Sequence, residues 1–278
     1  MSVLLKESML PEVSQNDSAG ISKAIRDNGL AVIPNVLSRN KVTEICAKID
    51  ELVENPNIHD GIGNGKGIDH LKCIFNRDPY WLQYLDFPGI IDSVEDLMGA
   101  ESHIIGMTAW RTPPGVGSEK WSHTDQIFLP VDQELLLSGK VEIPVFISTL
   151  HFYLNDMDID LCPTWVLPGS HKSGRSPQKE DCFDTENGPR FRWNGVEEVP
   201  VLVNAGDAML FRSEVWHGGS KNNTEDRTRY LVQVHYAQRG VAQRFPPYLD
   251  FKFNEDVVSQ ATERQLRLLG KHKIAAYG

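Results

Sequence analysis

Hydrophobic positions change their spacing once along this chain, near residue 99. Before that point they recur at intervals of three and four. SAGISKAIRDN, residues 18–28, is predicted as a short helix ended by Gly29. Leu30 then opens a strand that Pro34 stops. Ser38 suits the N-cap of a second helix. Val42, Ile45, Cys46, Ile49, Leu52 and Val53 give that helix one apolar face. Residues 54–70 are polar and glycine-rich and are predicted as a mobile loop. A third helix is expected near 88–98, with Ile90, Ile91, Val94, Leu97 and Met98 inward.

Beyond Gly99 short apolar runs alternate with turn residues. The predicted strands are HIIGMTAW, SHTDQIFL, PVFISTLHFYL, TWVLPG, VPVLV, AMLF and TRYLVQVHYA. A polar stretch from His171 to Glu198 is expected as a surface excursion. A last helix is predicted near Glu255 to Leu269. The expected fold is mainly β: a jelly-roll core of about eight strands, buttressed by a layer of N-terminal helices. One domain is expected over residues 1–278, with helical support in 1–100, the core in 101–240 and a tail with a helix in 241–278.

Composition narrows the function. The 278 residues are 40% hydrophobic and 24% charged, which excludes a disordered or fibrous chain. A net charge of −10 disfavours binding to nucleic acid. Cys46, Cys73, Cys162 and Cys182 are scattered, with no CxxC pair, which suits a reducing cytoplasm. No apolar run approaches the roughly 20 residues of a membrane span. Val3 to Leu5 is too short for a signal-peptide core. A soluble, cytoplasmic protein is expected.

Two segments carry candidate chemistry. In SHTDQ, His123 and Asp125 stand two apart on a predicted strand, so both side chains share a face. A surface hydrogen bond is the commoner reading of such a pair; adjacent positions of a metal coordination sphere are the sharper one. In the second segment His217 is expected to end an apolar strand and precedes Gly218 and Gly219, which allow a sharp turn and close backbone approach. Arg229 opens RYLVQVHY; buried, its guanidinium needs an anion and can hold a carboxylate bidentately. An exposed arginine paired with Asp226 or Glu225 is the plainer alternative, and Arg227 competes for the same role. Together, two histidines and one aspartate make a set that caps one side of a metal and suits non-haem Fe(II).

WSHTD, LCPTWVLPGSHKSG, WHGGSKN and RTRYLVQVHY resemble the phytanoyl-CoA dioxygenase family of Fe(II)/2-oxoglutarate-dependent oxygenases, and RQLRLLGKHKIAAYG is similar to tails of bacterial members. The resemblance implies a double-stranded β-helix (jelly-roll, cupin-like) core. It implies His123, Asp125 and His217 as iron ligands and Arg229 as the clamp on the distal carboxylate of 2-oxoglutarate. It places the Thr164 hydroxyl near that carboxylate and His151 on the cosubstrate side. Fe(II), 2-oxoglutarate and O2 are the implied cofactor and cosubstrates. The family usually has Gly where this chain has Cys162, and an extra residue separates His217 from Arg229 relative to some members. An aspartate at 125 disfavours halogenation. The tract GIGNGKG, 61–67, matches no phosphate-binding loop and is a candidate lid by family analogy. Ser170 and His171 lack an elbow motif and an acidic partner, so no hydrolase triad is expected.

The expected reaction is oxidation, by default hydroxylation, of an unactivated C–H bond, with release of succinate and CO2. Trp110 and Trp121 flank the HxD segment as candidate substrate contacts. No Lys/Arg cluster stands by the predicted mouth, which favours a small metabolite or a natural product over an acyl-CoA. The rival class is a cupin-like metal isomerase or lyase, or a small-ligand-binding protein; a metal-free scaffold is a third. Arg229 discriminates, because these have no need of a carboxylate clamp beside the metal.

Overall fold

A computed structural model of the chain describes residues 10–55, 67–117, 121–185 and 188–274. The elements in order are α1 (Ser18–Asn28), β1 (Leu30–Ile33), α2 (Arg39–Glu54), β2 (Asp69–Lys72), α3 (Ile90–Met98), β3 (His103–Thr112), α4 (Gln133–Leu137), β4 (Ile147–Tyr153) and β5 (Trp165–Leu167). They continue with β6 (Cys182–Thr185), β7 (Gly188–Trp193), β8 (Val196–Glu197), β9 (Val199–Pro200), β10 (Ala208–Arg212), β11 (Trp216–Gly218), β12 (Arg229–Ala237), α5 (Glu255–Gln260) and α6 (Glu263–Leu268).

The helix signals act as expected. Asp17 accepts from the Gly20 N–H at the start of α1, and Gly29 closes it in the left-handed region at φ 84°. Ser38 caps α2 by accepting from the Lys41 N–H. Such a cap is worth about 1 kcal/mol.

A six-stranded sheet runs in the order β1-β10-β4-β12-β3-β2, every pairing antiparallel. A three-stranded sheet, β11-β5-β9, faces it, and β6-β7-β8 form a separate meander. This is the jelly-roll arrangement, a β core with helical buttressing. In β12 the side chains alternate. Val232, Val234 and Tyr236 join the helices α1 to α3 in the larger core, on the outer face. Leu231 joins Val166, Val201 and Phe211 between the two sheets. Arg229, Gln233 and His235 share the parity of Leu231 and so face inward. Burial on both faces is why RYLVQVHY reads as nearly continuous apolar sequence. No helix among the described residues is long and apolar enough to cross a membrane.

Several expectations need correction. SHTDQIFL is not a strand: only His123 makes an isolated bridge, to His217. His217 does not end a long strand but sits at the centre of the three-residue β11. VPVLV keeps two strand residues, β9. The loop predicted for 54–70 gives way to β2 at Asp69. The stretch from His171 to Glu198 is a folded meander whose Phe191 is fully buried against Leu167 and Trp216. The last helix is two, because Thr262 caps α6 and separates it from α5. Residues 61–66 of the candidate lid, the first nine residues and residues 275–278 lie outside the described residues.

Candidate active site

Register on the inner face of the large sheet assembles the site. One cross-strand row runs Met209, His151, Gln233, Thr108, Lys72. The next runs Phe211, Thr149, His235, Gly106, and a third runs Tyr153, Leu231, Trp110, His70. All of these residues except Met209 and Tyr153 line a cavity of about 840 Å³, whose floor they form.

Opposite the floor, the segment at 122–126 crosses β11. His123 and His217 exchange backbone hydrogen bonds of 2.8 and 2.9 Å. The Asp125 N–H donates to Ser213 O at 3.0 Å, and Ser122 Oγ donates to the buried Glu198 at 2.7 Å. Gly218 permits the crossing, since a Cβ there would stand 2.7 Å from the Trp121 carbonyl oxygen. A Cβ at Gly219 would meet nothing within 4 Å. The shared face expected of His123 and Asp125 is therefore produced by the bridge to β11, not by strand alternation.

One nitrogen or oxygen from each of His123, Asp125 and His217 lies within 4.8 Å of the others. Asp125 Oδ1 is 3.6 Å from His217 Nε2 and 3.9 Å from His123 Nε2. His217 Nδ1 donates to the Val215 carbonyl at 2.9 Å, which fixes the tautomer and turns the Nε2 lone pair toward Asp125. Partial desolvation by the surrounding wall, with His217 beside it, lowers the His123 pKa although the side chain stays half-exposed, and favours the neutral form.

Arg229 opens β12 and faces the cavity. Its Nη2 donates to Thr164 Oγ1 at 3.2 Å, and its buried Nε has no partner. Among the described residues it makes no ion pair. The alternatives fall away: Arg227 is exposed and paired with Asp158 at 2.6 Å, and neither Asp226 nor Glu225 bonds Arg229. Cys162 lines the same end of the cavity, in the left-handed region at φ 39°, a conformation that glycine adopts at least cost.

His151 lies in the floor, buried, and burial holds its pKa well below the ordinary value. Its tautomer follows from Gln233. The Trp110 indole N–H can only donate, and it meets Gln233 Oε1 at 2.7 Å, where Thr108 Oγ1 also donates at 3.0 Å. The amide Nε2 therefore donates to His151 Nε2 at 2.8 Å and leaves the imidazole proton on Nδ1. Trp110 stacks on His70 with centroids 3.6 Å apart. Trp121 is 55% exposed at the rim, edge-on to Phe191. All eight anticipated residues thus border one cavity. His70, Lys72, Thr149, Gln233, His235 and Arg244 also line it and were not anticipated. Period two from Arg229 points to Gln233 and His235; the others carry no local signal.

Fold and cluster define an enzyme of the non-haem Fe/2-oxoglutarate dioxygenase type. The family model "Phytanoyl-CoA dioxygenase (PhyH)" matches residues 25–230. The chain belongs to this family, whose members use Fe(II), 2-oxoglutarate and O2. It is 23% identical over 269 residues to a probable phytanoyl-CoA dioxygenase of Caenorhabditis elegans, covering 86% of this chain and 77% of that protein. It is 25% identical over 234 residues to the dioxygenase aneA of Aspergillus aculeatus, covering 80% and 74%. Among solved structures, HygX from Streptomyces hygroscopicus, with nickel, 2-oxoglutarate and hygromycin B bound, superposes with a TM-score of 0.61 at 15% identity, covering 80% of this chain and 88% of that one. The epimerase SnoN from nogalamycin biosynthesis gives a TM-score of 0.58 at 17% identity, covering 81% and 85%.

Proposed function

We propose that His123, Asp125 and His217 hold Fe(II), that Arg229 binds the distal carboxylate of 2-oxoglutarate, and that the enzyme hydroxylates an unactivated C–H bond of a small metabolite or natural product. One observation carries the reading: three side chains able to ligate a metal converge in a cavity that also holds an arginine without a carboxylate partner among the described residues. The donor set fits the metal, since two imidazoles and one carboxylate bring one ligand atom each within 4.8 Å of the others on the lining of the cavity. The orphaned Arg229 Nε fits a cosubstrate carboxylate, which would complete its hydrogen bonding.

Iron with 2-oxoglutarate and O2 supplies the oxidising power, and the residues of this chain orient and shield the reactants. Thr164 accepts from Arg229 Nη2 and holds the planar guanidinium in one orientation. His151, kept neutral by burial, borders the cosubstrate without adding charge. The floor bonds its own polar groups through Gln233, so the indole of Trp110 stays fixed as a wall of the substrate space. HygX is described with hygromycin B bound and SnoN with nogalamycin RO, in keeping with a cavity of this size accepting a natural product. The arginine clamp favours this reading over a cupin-like isomerase or binding protein.

The test is 2-oxoglutarate-dependent succinate release with Fe(II) and candidate substrates. Asp125→Ala is expected to reduce release to background. Normal turnover in that variant defeats the assignment.

A further inference from the structure

Besides Asp125 and Arg229, the charged side chains lining the cavity are Lys72 and Arg244, and Asp125 is its one acid among the described residues. This is an unusual sign for a chain of net charge −10. Lys72 lies on β2 opposite Thr108, and that register puts its side chain on the inner face, at the end of the row through His151 and Gln233. Arg244 is fixed at the other end of β3: its backbone N–H donates to Ile105 O at 2.9 Å and its guanidinium donates to Gln126. Three residues of extended strand separate the two anchor points, about 10 Å. Among the described residues neither cation has a carboxylate partner.

Between them the floor is recessed. Gly106 stands opposite His235, and a Cβ there would only touch His235 at 3.6 Å. The neighbouring imidazoles add no charge. Burial is the chief cause that lowers the pKa of both, to about 4 for His70, with Lys72 beside it, and in the same direction for His235, with Arg244 beside it.

We propose that the substrate is an organic anion, a carboxylate- or phosphate-bearing small molecule, whose acid group rests between Lys72 and Arg244 over the Gly106 recess. The inference rests on the iron and 2-oxoglutarate reading, because the charges then settle. A divalent cation and Arg229 on one side, with Asp125 and the dianionic cosubstrate on the other, cancel. Lys72, half-buried, and Arg244, exposed on the cavity's outer side, remain as positive charge with no carboxylate partner among the described residues, and an anion placed between them gains from both. The two lie 172 positions apart in sequence, so no basic cluster is visible along the chain.

The experiment is a calorimetric titration of the protein loaded with Ni(II) and 2-oxoglutarate. The probes are phenylacetate, phenyl phosphate and the neutral phenylacetamide. At least one acid is expected to bind about tenfold tighter than the amide or better, and the tighter acid distinguishes carboxylate from phosphate. The double variant Lys72→Met, Arg244→Met should lose that preference while 2-oxoglutarate affinity stays within about twofold. Equal binding of the amide, no saturable binding of either acid, or a preference retained in the double variant overturns the proposal. So does displacement of 2-oxoglutarate by the acids, which would place them on Arg229. A preference that persists in protein unable to bind 2-oxoglutarate would instead leave the anion site standing and remove the cosubstrate assignment.

Discussion

The two walls of the cavity are built differently. The floor is centred on three adjacent long strands, β3, β4 and β12, flanked by β10 and β2, with its side chains placed by register and β4 buried at each position. The opposite wall, which carries His123 and Asp125, has one isolated bridge, a few side-chain anchors and a His123 side chain that is 54% exposed. Arg229, which opens β12, is therefore preorganised before any ligand arrives, whereas the His123–Asp125–His217 cluster depends on a short crossing over Gly218. The contrast suits the chemistry proposed. A clamp for a flexible dianion gains from rigidity, and a metal can itself order its ligands.

Changes on the two walls should separate, and the largest effect is expected on the floor. Arg229→Gln removes a charge-assisted carboxylate contact and should raise the 2-oxoglutarate concentration for half-saturation by about 10- to 100-fold. Iron affinity should be unchanged, as read by equilibrium dialysis. Loss of both together would mean that the walls are not independent.

Gly218→Ala attacks the other wall. Its Cβ, 2.7 Å from Trp121 O, forces the crossing segment to move. A stability loss of about 1–3 kcal/mol is expected, with weakened metal affinity, while the Arg229 end is untouched. Denaturant unfolding with and without metal reads both; unchanged metal affinity would refute the role given to the crossing.

The smallest effect concerns pH. Burial lowers the pKa of His151 and His235 from the ordinary value near 6.5, so the unfolded chain takes up their protons first. Their contribution is complete above pH 6.5 and is lost progressively as pH falls below it. His235→Gln should make the decline in stability between pH 7 and pH 5 shallower. A steeper decline would contradict a neutral floor.

How far the sequence carried the reading follows from the same contrast. The helices announced themselves through local caps, Gly29 and Ser38, and through three-four periodicity. β12 was legible because its apolar run is long. The segment carrying His123 and Asp125 reads as a strand because His-x-Asp alternation and a bridged loop leave the same pattern in sequence. What makes the two side chains converge is a close approach to Gly218, a tertiary fact. The meander after His171 escaped because its polar surface hides one buried anchor, Phe191. Lys72 and Arg244 escaped because nothing local links a residue of β2 to the segment after β12.

The most direct measurement is an anaerobic titration of 2-oxoglutarate into the Fe(II)-loaded protein, following the weak visible absorption of the iron–keto-acid chelate. The account predicts a saturable band in the wild type, a shifted midpoint in Arg229→Gln and no band in His217→Ala. A band of wild-type intensity and midpoint in His217→Ala would contradict it.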